Sequence, residues 1–188
     1  MNATTYLNNQ FLIAMPALAD PNFSHTVTYL CQHNNEGALG IVINRPTDMK
    51  LGDIFQQMEI KPSDNRSINI PIFSGGPVQP ERGFVIHSRS EEKWDASIPV
   101  SDDISLTTSR DILIAIANGK GPDNALIALG YAGWGEGQLE KEMIENSWLS
   151  TPCTQQILFD TPTSQRWSEA AIQMGVDINQ LTTPAGHG

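Results

Sequence analysis

One early pairing constrains this chain more than any other feature. From Thr26 to His33 the residues alternate, with Val27, Tyr29, Cys31 and His33 on one face and Thr26, Thr28 and Gln32 on the other. That is the period of a strand. Asn34-Asn35-Glu36-Gly37 reads as a turn, and Ala38 to Asn44 is an apolar run rich in β-branched residues. The run reads as a second strand, buried on both faces. Strands joined by a tight turn run antiparallel, whereas a parallel pair needs a long crossover. A regular parallel winding is therefore disfavoured, and an α+β domain with a mixed sheet is expected.

Arg45-Pro46 ends the hairpin, and a short amphipathic helix is predicted from Leu51 to Met58. Further strands are predicted at Ile70 to Ser74, Gly83 to Ser88 and Ala125 to Gly130, with shorter ones near Ile98 and Ile104. Thr107-Thr108-Ser109 offers capping hydroxyls to a helix from Arg110 to about Asn118. Asp111 suits its first turn and Gly119 its end. A helix from Gln138 to Trp148 is predicted to turn Leu139, Met143 and Ile144 inward. The last helix, Ser164 to Met174, carries Trp167, Ala170, Ala171 and Met174 at helical spacing. Residues 1–181 are read as one domain and 182–188 as a mobile tail.

Charge narrows the function classes. Among 188 residues, 21 Asp and Glu outnumber 11 Lys and Arg, a formal net charge of −10. No two basic residues are adjacent. A nucleic-acid binder gains affinity by clustering such residues against phosphates, so direct binding to DNA or RNA is disfavoured. An anionic membrane surface is disfavoured for the same reason. Hydrophobic residues make up 39% and charged residues 17%, which excludes an acidic disordered chain and a coiled coil. Phe11 to Ala19 has the apolar character of a signal segment, but no Lys or Arg precedes it. It is read as a buried first segment. Cys31 and Cys153 are far apart in no metal-ligand spacing, which fits a reduced, cytoplasmic protein. No metal site and no cofactor are expected.

Three stretches offer chemistry. Cys31 and His33, two apart on a strand, are expected on one face, where the imidazole would activate the thiol. The competing and stronger reading is an inert buried thiol beside a histidine that bonds within the turn. Ser74-Gly75-Gly76-Pro77 has the composition of an anion nest but lacks the Lys of a phosphate loop. A tight turn joining two strands is the favoured reading there. Gly130-Tyr131-Ala132-Gly133-Trp134 precedes a helix start rich in Glu136, Glu140 and Glu142. That charge repels phosphate and favours a neutral or cationic ligand, with Tyr131 and Trp134 either stacking on it or plugging a core corner.

Taken in order, these stretches resemble the YqgE/AlgH family of bacterial proteins. The matching stretches are Phe11-Leu12-Ile13-Ala14-Met15-Pro16, Asp20-Pro21-Asn22-Phe23, His33-Asn34-Asn35-Glu36-Gly37-Ala38-Leu39-Gly40 and Asn44-Arg45-Pro46. Ser74-Gly75-Gly76-Pro77, Arg82-Gly83, Thr108-Ser109-Arg110-Asp111, Gly130 to Trp134, Gly137-Gln138-Leu139-Glu140 and Asn146-Ser147-Trp148 continue the series. Gln32 departs from it, since many relatives resemble one another in carrying Glu there. The resemblance implies an α+β fold with a bifurcated sheet, part of it closing into a small barrel flanked by helices. It implies no established reaction or catalytic residue set. One branch is labelled a transcriptional regulator of alginate synthesis, but this sequence has no recognisable helix-turn-helix or basic recognition helix.

The expectation is thus a cytoplasmic, non-catalytic binding or regulatory protein, its partner a small molecule or another protein. Its pocket is expected among the Asp20-Pro21 loop, the His33-Asn34 turn, the Gly75-Gly76 turn and the Gly130-Trp134 loop. The candidate ligand-binding residues are Asp20, His33, Asn34, Gly75, Gly76, Arg110, Tyr131 and Trp134. The alternatives are a small-molecule enzyme using Cys31 or His33 and, behind it, a transcriptional regulator.

Overall fold

The computed structural model describes residues 5–177. Its strands are β1 (Gln10–Ala14), β2 (Val27–Asn34), β3 (Gly37–Val42), β4 (Pro46–Lys50) and β5 (Pro71–Ser74), then β6 (Val78–Ser88), β7 (Ser97–Pro99), β8 (Ile104–Thr107), β9 (Ala125–Trp134) and β10 (Trp148–Pro152). The helices are α1 (Leu51–Gln57), α2 (Arg110–Ala117), α3 (Gln138–Ile144) and α4 (Arg166–Gln173), with a π turn at Gln156–Asp160. One sheet runs β10-β1-β2-β3-β9-β6-β8-β7, antiparallel throughout, and curls into a half-barrel. The fold is α+β, as expected.

The sheet forks at β9. Its C-terminal half, Ala132 to Trp134, pairs with β3, while Ile127 to Leu129 pair in parallel with β5. Gly130 lies between the two pairings, at φ +81°. Glycine tolerates that left-handed backbone where a side chain would be strained. β6 pairs with β9 across the fork, from Ala125 to Tyr131.

Three apolar clusters follow from this branching. The inner face of the curl is filled by residues such as Phe11, Tyr29, Ile41, Phe84 and Ile86 and is closed by Ala170 and Ala171 of α4. Arg166 of α4 is buried and donates to the carbonyls of Ile43 and Thr161, tying that helix to the end of the hairpin. The outer face is split. Helices α1 and α2 cover its β5-β6-β9 part, with Leu51, Phe55 and Ile112 against Ile72, Val85 and Ile127. Helix α3 covers the other part, with Leu139 among Leu12, Leu30, Trp134 and Trp148.

Several expectations are corrected. Of the segment Phe11 to Ala19 expected to be buried, Phe11 to Ala14 is, as a strand between β2 and β10, while Met15 to Ala19 are half-buried or exposed. Thr26 and Thr28 are as buried as their apolar neighbours, so β2 has two covered faces up to Cys31. Gly37, Ala38 and Leu39 at the start of β3 are only half-buried. β9 runs on through Trp134, so the expected Gly130-Trp134 loop is strand. The helix predicted to Trp148 stops at Ile144. Asn146 adopts φ +61°, and the amides of Asn146 and Ser147 donate back to the carbonyls of Met143 and Glu142. That is a left-handed helix stop, which releases Trp148 into β10. Ile144 is exposed because it sits five residues from Leu139, off the inner stripe that Leu139 and Met143 define. Ser109 caps α2 by position only: its hydroxyl donates to Asp111 Oδ1 and accepts from the Ala96 amide. The expected tail, 182–188, lies outside the described residues.

Candidate functional site

A bulge takes the thiol and the imidazole apart. Leu30 pairs with Gly40 and Gln32 with Leu39, so Cys31 is an extra residue in β2. Such an insertion re-aims every side chain beyond it. Cys31 faces the inner core, while His33 pairs with Ala38, whose side chain packs against the α3 cluster. The expected shared face does not exist. The Cys31 thiol is 2% exposed and donates to the Tyr29 carbonyl at 3.6 Å. Burial holds its pKa far above that of an ordinary thiol. Burial likewise pushes the half-buried Cys153 up to about 12. His33 Nδ1 accepts the Leu7 amide at 2.9 Å, leaving Nε2–H to face the Glu140 carboxylate at 3.4 Å. The ring anchors the N-terminal segment, with Tyr6 edge-on at 5.0 Å.

The glycine-rich motifs are close contacts of backbone. Gly75 donates its amide to Leu129 and accepts from Val42, at the point where β3 hands over to β5. Gly76, at φ +153°, lies flat on the Tyr131 peptide, and a Cβ there would overlap it. Trp134 is a core residue. Its indole N–H and that of Trp148 both donate to Glu142 Oε1, at 3.1 and 3.0 Å, and Phe23 stacks on Trp134 at 6.2 Å. Asp20 and Asn34 shape their own turns, accepting the amides of Asn22 and Glu36.

The exposed start of β6 gathers what is left. A bulge between Val78 and Gly83, with Gln79 at φ +47°, lifts residues 79–82 away from β9 as an exposed arm. Three depressions lie along this arm. One, open, of about 490 Å³, is bounded by Val78, Asn34, Leu39, Tyr131 and Trp134. A second, of about 310 Å³, is bounded by Asn22, Arg45, Ser74, Gly76 and Pro80. The third is the largest, about 560 Å³, between the arm, α1 and α2. The predicted residues are thus distributed: Asn34, Tyr131 and Trp134 at the first, Gly76 at the second, Arg110 at the third. Asp20, His33 and Gly75 line none of them.

The third cavity has the composition of a ligand site, an apolar interior with a few polar groups at the rim. Ile54, Leu113, Val85, Ile127 and Leu129 line its interior. Gly83 contributes a gap: a Cβ there meets nothing within 4 Å. It lies two residues before Val85 on β6 and so shares its face toward α1 and α2, where a side chain at Gly83 would enter the cavity. Arg82 and Arg110 stand at the rim. Arg110 donates to the Met58 carbonyl at 2.6 Å, and Arg82 to Gln79 at 3.3 Å while lying 5.3 Å from the Phe84 ring centre. Among the described residues neither has a carboxylate within ion-pairing distance. Sequence reasoning missed this cavity except for Arg110. The motif Arg82-Gly83 is its second visible sign, and the apolar lining is ordinary helix and strand sequence. Among the described residues no cluster of three or more His, Cys, Asp or Glu is arranged to hold a metal, and no helix is long and apolar enough to cross a membrane.

A model of the AlgH-like family matches residues 11–179. The chain is 54% identical over 187 residues to a UPF0301 protein of Thioalkalivibrio sulfidiphilus, covering 100% of both chains. It is 54% identical over 183 residues to one of Methylococcus capsulatus, covering 97% of each. Its structure is similar to the solution structure of the AlgH protein from Pseudomonas aeruginosa, with TM-score 0.80, 46% identity and 100% and 99% of the two chains covered. A crystal structure of a Corynebacterium diphtheriae protein shares the fold at TM-score 0.76 and 14% identity, over 98% of this chain and 95% of that one.

Proposed function

The chain belongs to the AlgH-like family, and on that premise we propose that it is a non-catalytic binding protein, regulatory in role, that takes up a small molecule beside the β6 arm. The reading places it in the cytoplasm, which its two unpaired cysteines suit. The observation that carries it is the cavity of about 560 Å³ between α1, α2 and β6, within the usual size of small-molecule sites. The buried, uncharged thiol and the opposed facing of His33 weigh against a thiol enzyme. Of the other residues of the sequence-predicted pocket, Asn34, Gly76, Tyr131 and Trp134 line the two smaller depressions along the same arm, and Asp20, His33 and Gly75 line none.

A thermal-shift screen against metabolites, run on the native protein and on Gly83→Phe, tests this. Ligand at a hundred times its dissociation constant adds about 2.7 kcal/mol. For a chain of this size that is a rise in Tm of roughly 5–10 °C. The reading expects hits that weaken or vanish in Gly83→Phe, whose ring would take up part of the cavity beside the arm. Hits that persist undiminished in that variant, or no hit at all, contradict it; a flat screen points to a protein partner.

A further inference from the structure

We infer that the ligand of this cavity is an amphipathic anion: an unbranched apolar chain ending in a carboxylate. The inference rests on the binding reading above and goes beyond it by naming the chemistry. Charge is the first argument. This chain carries 21 acidic residues against 11 basic ones, so an arginine has many carboxylates to pair with. Asp64, for instance, holds Arg66 at 2.6 Å. Arg110 borders the cavity with only a neutral acceptor, the Met58 carbonyl, and Arg82, which also borders it, lies over the Phe84 ring and donates to Gln79. Glu81 is the carboxylate side chain that joins them in lining the cavity. Asp111, next in sequence to Arg110, is turned away: it accepts from Ser109 and from the Asp95 amide on the β7 side. The rim therefore has a positive balance on a negative molecule.

The interior supplies the second argument. Behind the arginines lie aliphatic side chains of Ile54, Val85, Leu113, Ile127 and Leu129. Gln57, Thr107, Thr108 and Ser109 also border the cavity, but its aliphatic part gives a sugar or an inorganic anion no polar partner, and burying unpaired polar groups is costly. An alkyl chain gains from the same surface. A guanidinium binds a carboxylate through two parallel N–H donors, which orients the chain inward. Gly83 borders the cavity, and a side chain there would occupy space that is now open.

The probe is decanoate, with decanol, decylamine and inorganic phosphate as controls, added to the full chain in a thermal-shift titration with sedimentation on the same samples. Decanoate is expected to raise Tm and to saturate, with decanol at least tenfold weaker and decylamine and phosphate without effect. The double variant Arg82→Ala/Arg110→Ala is expected to weaken decanoate at least tenfold and to leave the ligand-free Tm unchanged. Lysine at both positions is expected to restore part of the affinity. Equal affinity for decanol and decanoate, an unaltered double variant, or no response to decanoate overturns the inference. Self-association that depends on the two arginines and ignores decanoate also overturns it, because the face is then an interface between copies. If decanoate fails while another compound gives a shift that Gly83→Phe removes, the binding reading stands and only the anion is wrong.

Discussion

The two halves of β9 are built on opposite terms. Around its C-terminal half, from Gly130 to Trp134, aromatic rings, glycines and a shared carboxylate meet with little space between them. Trp134 and Trp148 converge on Glu142, and Gly76 lies on Tyr131. Around its N-terminal half, Ile127 and Leu129 face α1 and α2 across a cavity of about 560 Å³. The unusual sequence belongs to the half whose rings and backbones pack on one another, with a shallow open depression of about 490 Å³ at its surface, and the more enclosed space to the ordinary half. Glycines and tryptophans in such a chain mark where backbones must touch. A ligand site made of isoleucine, leucine and two arginines leaves little trace.

The largest effect that would break this comparison comes from Gly76→Ala. Its methyl group would overlap the Tyr131 peptide at a backbone angle of +153°, so the variant is expected to lose the native near-ultraviolet circular dichroism. A folded Gly76→Ala with ordinary stability would show that the turn is loose. Next comes Trp134→Ala, expected to cost about 3–5 kcal/mol in urea denaturation, as for other buried aromatic truncations. A cost below about 1 kcal/mol would return Trp134 to the surface, as a stacking platform.

A pH titration sharpens the comparison on the β6 side. His87 is buried, its Nδ1–H donating to the Ser88 carbonyl and its Nε2 lying 2.7 Å from the Thr107 hydroxyl. Desolvation lowers its pKa below the ordinary 6.5. The unfolded chain therefore takes up this proton first as pH falls. The stabilising contribution is complete above about pH 6.5 and declines below it, by at most about 1.4 kcal/mol per pH unit. Melting curves between pH 7.5 and 5 are expected to show this loss, and His87→Gln is expected to remove part of it. Smaller still is the effect of Arg82→Ala/Arg110→Ala on the unliganded protein, expected within about 0.5 kcal/mol because both residues are exposed. A larger loss would make the arginines part of the packing. The thiols give the smallest signal: iodoacetamide is expected to leave Cys31 unmodified until the protein unfolds.

How much of this was legible follows from what each element needs. The hairpin was, because its alternation and its turn lie within twenty residues. The helix ending at Gly119 was, because its cap is local. β1 shows in the sequence only as an apolar run, since Phe11 to Ala14 are covered on both faces and carry no alternation. β10 pairs with β1 from the far end of the chain, and no local pattern announces it. The bulge at Cys31 is one residue long and leaves the alternation of the sequence intact, so Cys31 and His33 looked like neighbours. Of the candidate site, the grouping of several motifs beside one strand was legible. The cavity was not, because a gap between helices depends on how far apart their backbones come to rest.

Ligand is expected to enter between β6, α1 and α2 and to leave the motif-rich half of β9 alone. Titrating decanoate into protein with labelled isoleucine and leucine methyl groups tests it most directly. Shifts at Ile54, Leu113 and Ile127, with the amides of Tyr131 and Gly133 unmoved, are the predicted result. Shifts centred on Tyr131, Gly133 and Asn34, with the three methyl-bearing residues silent, would contradict it.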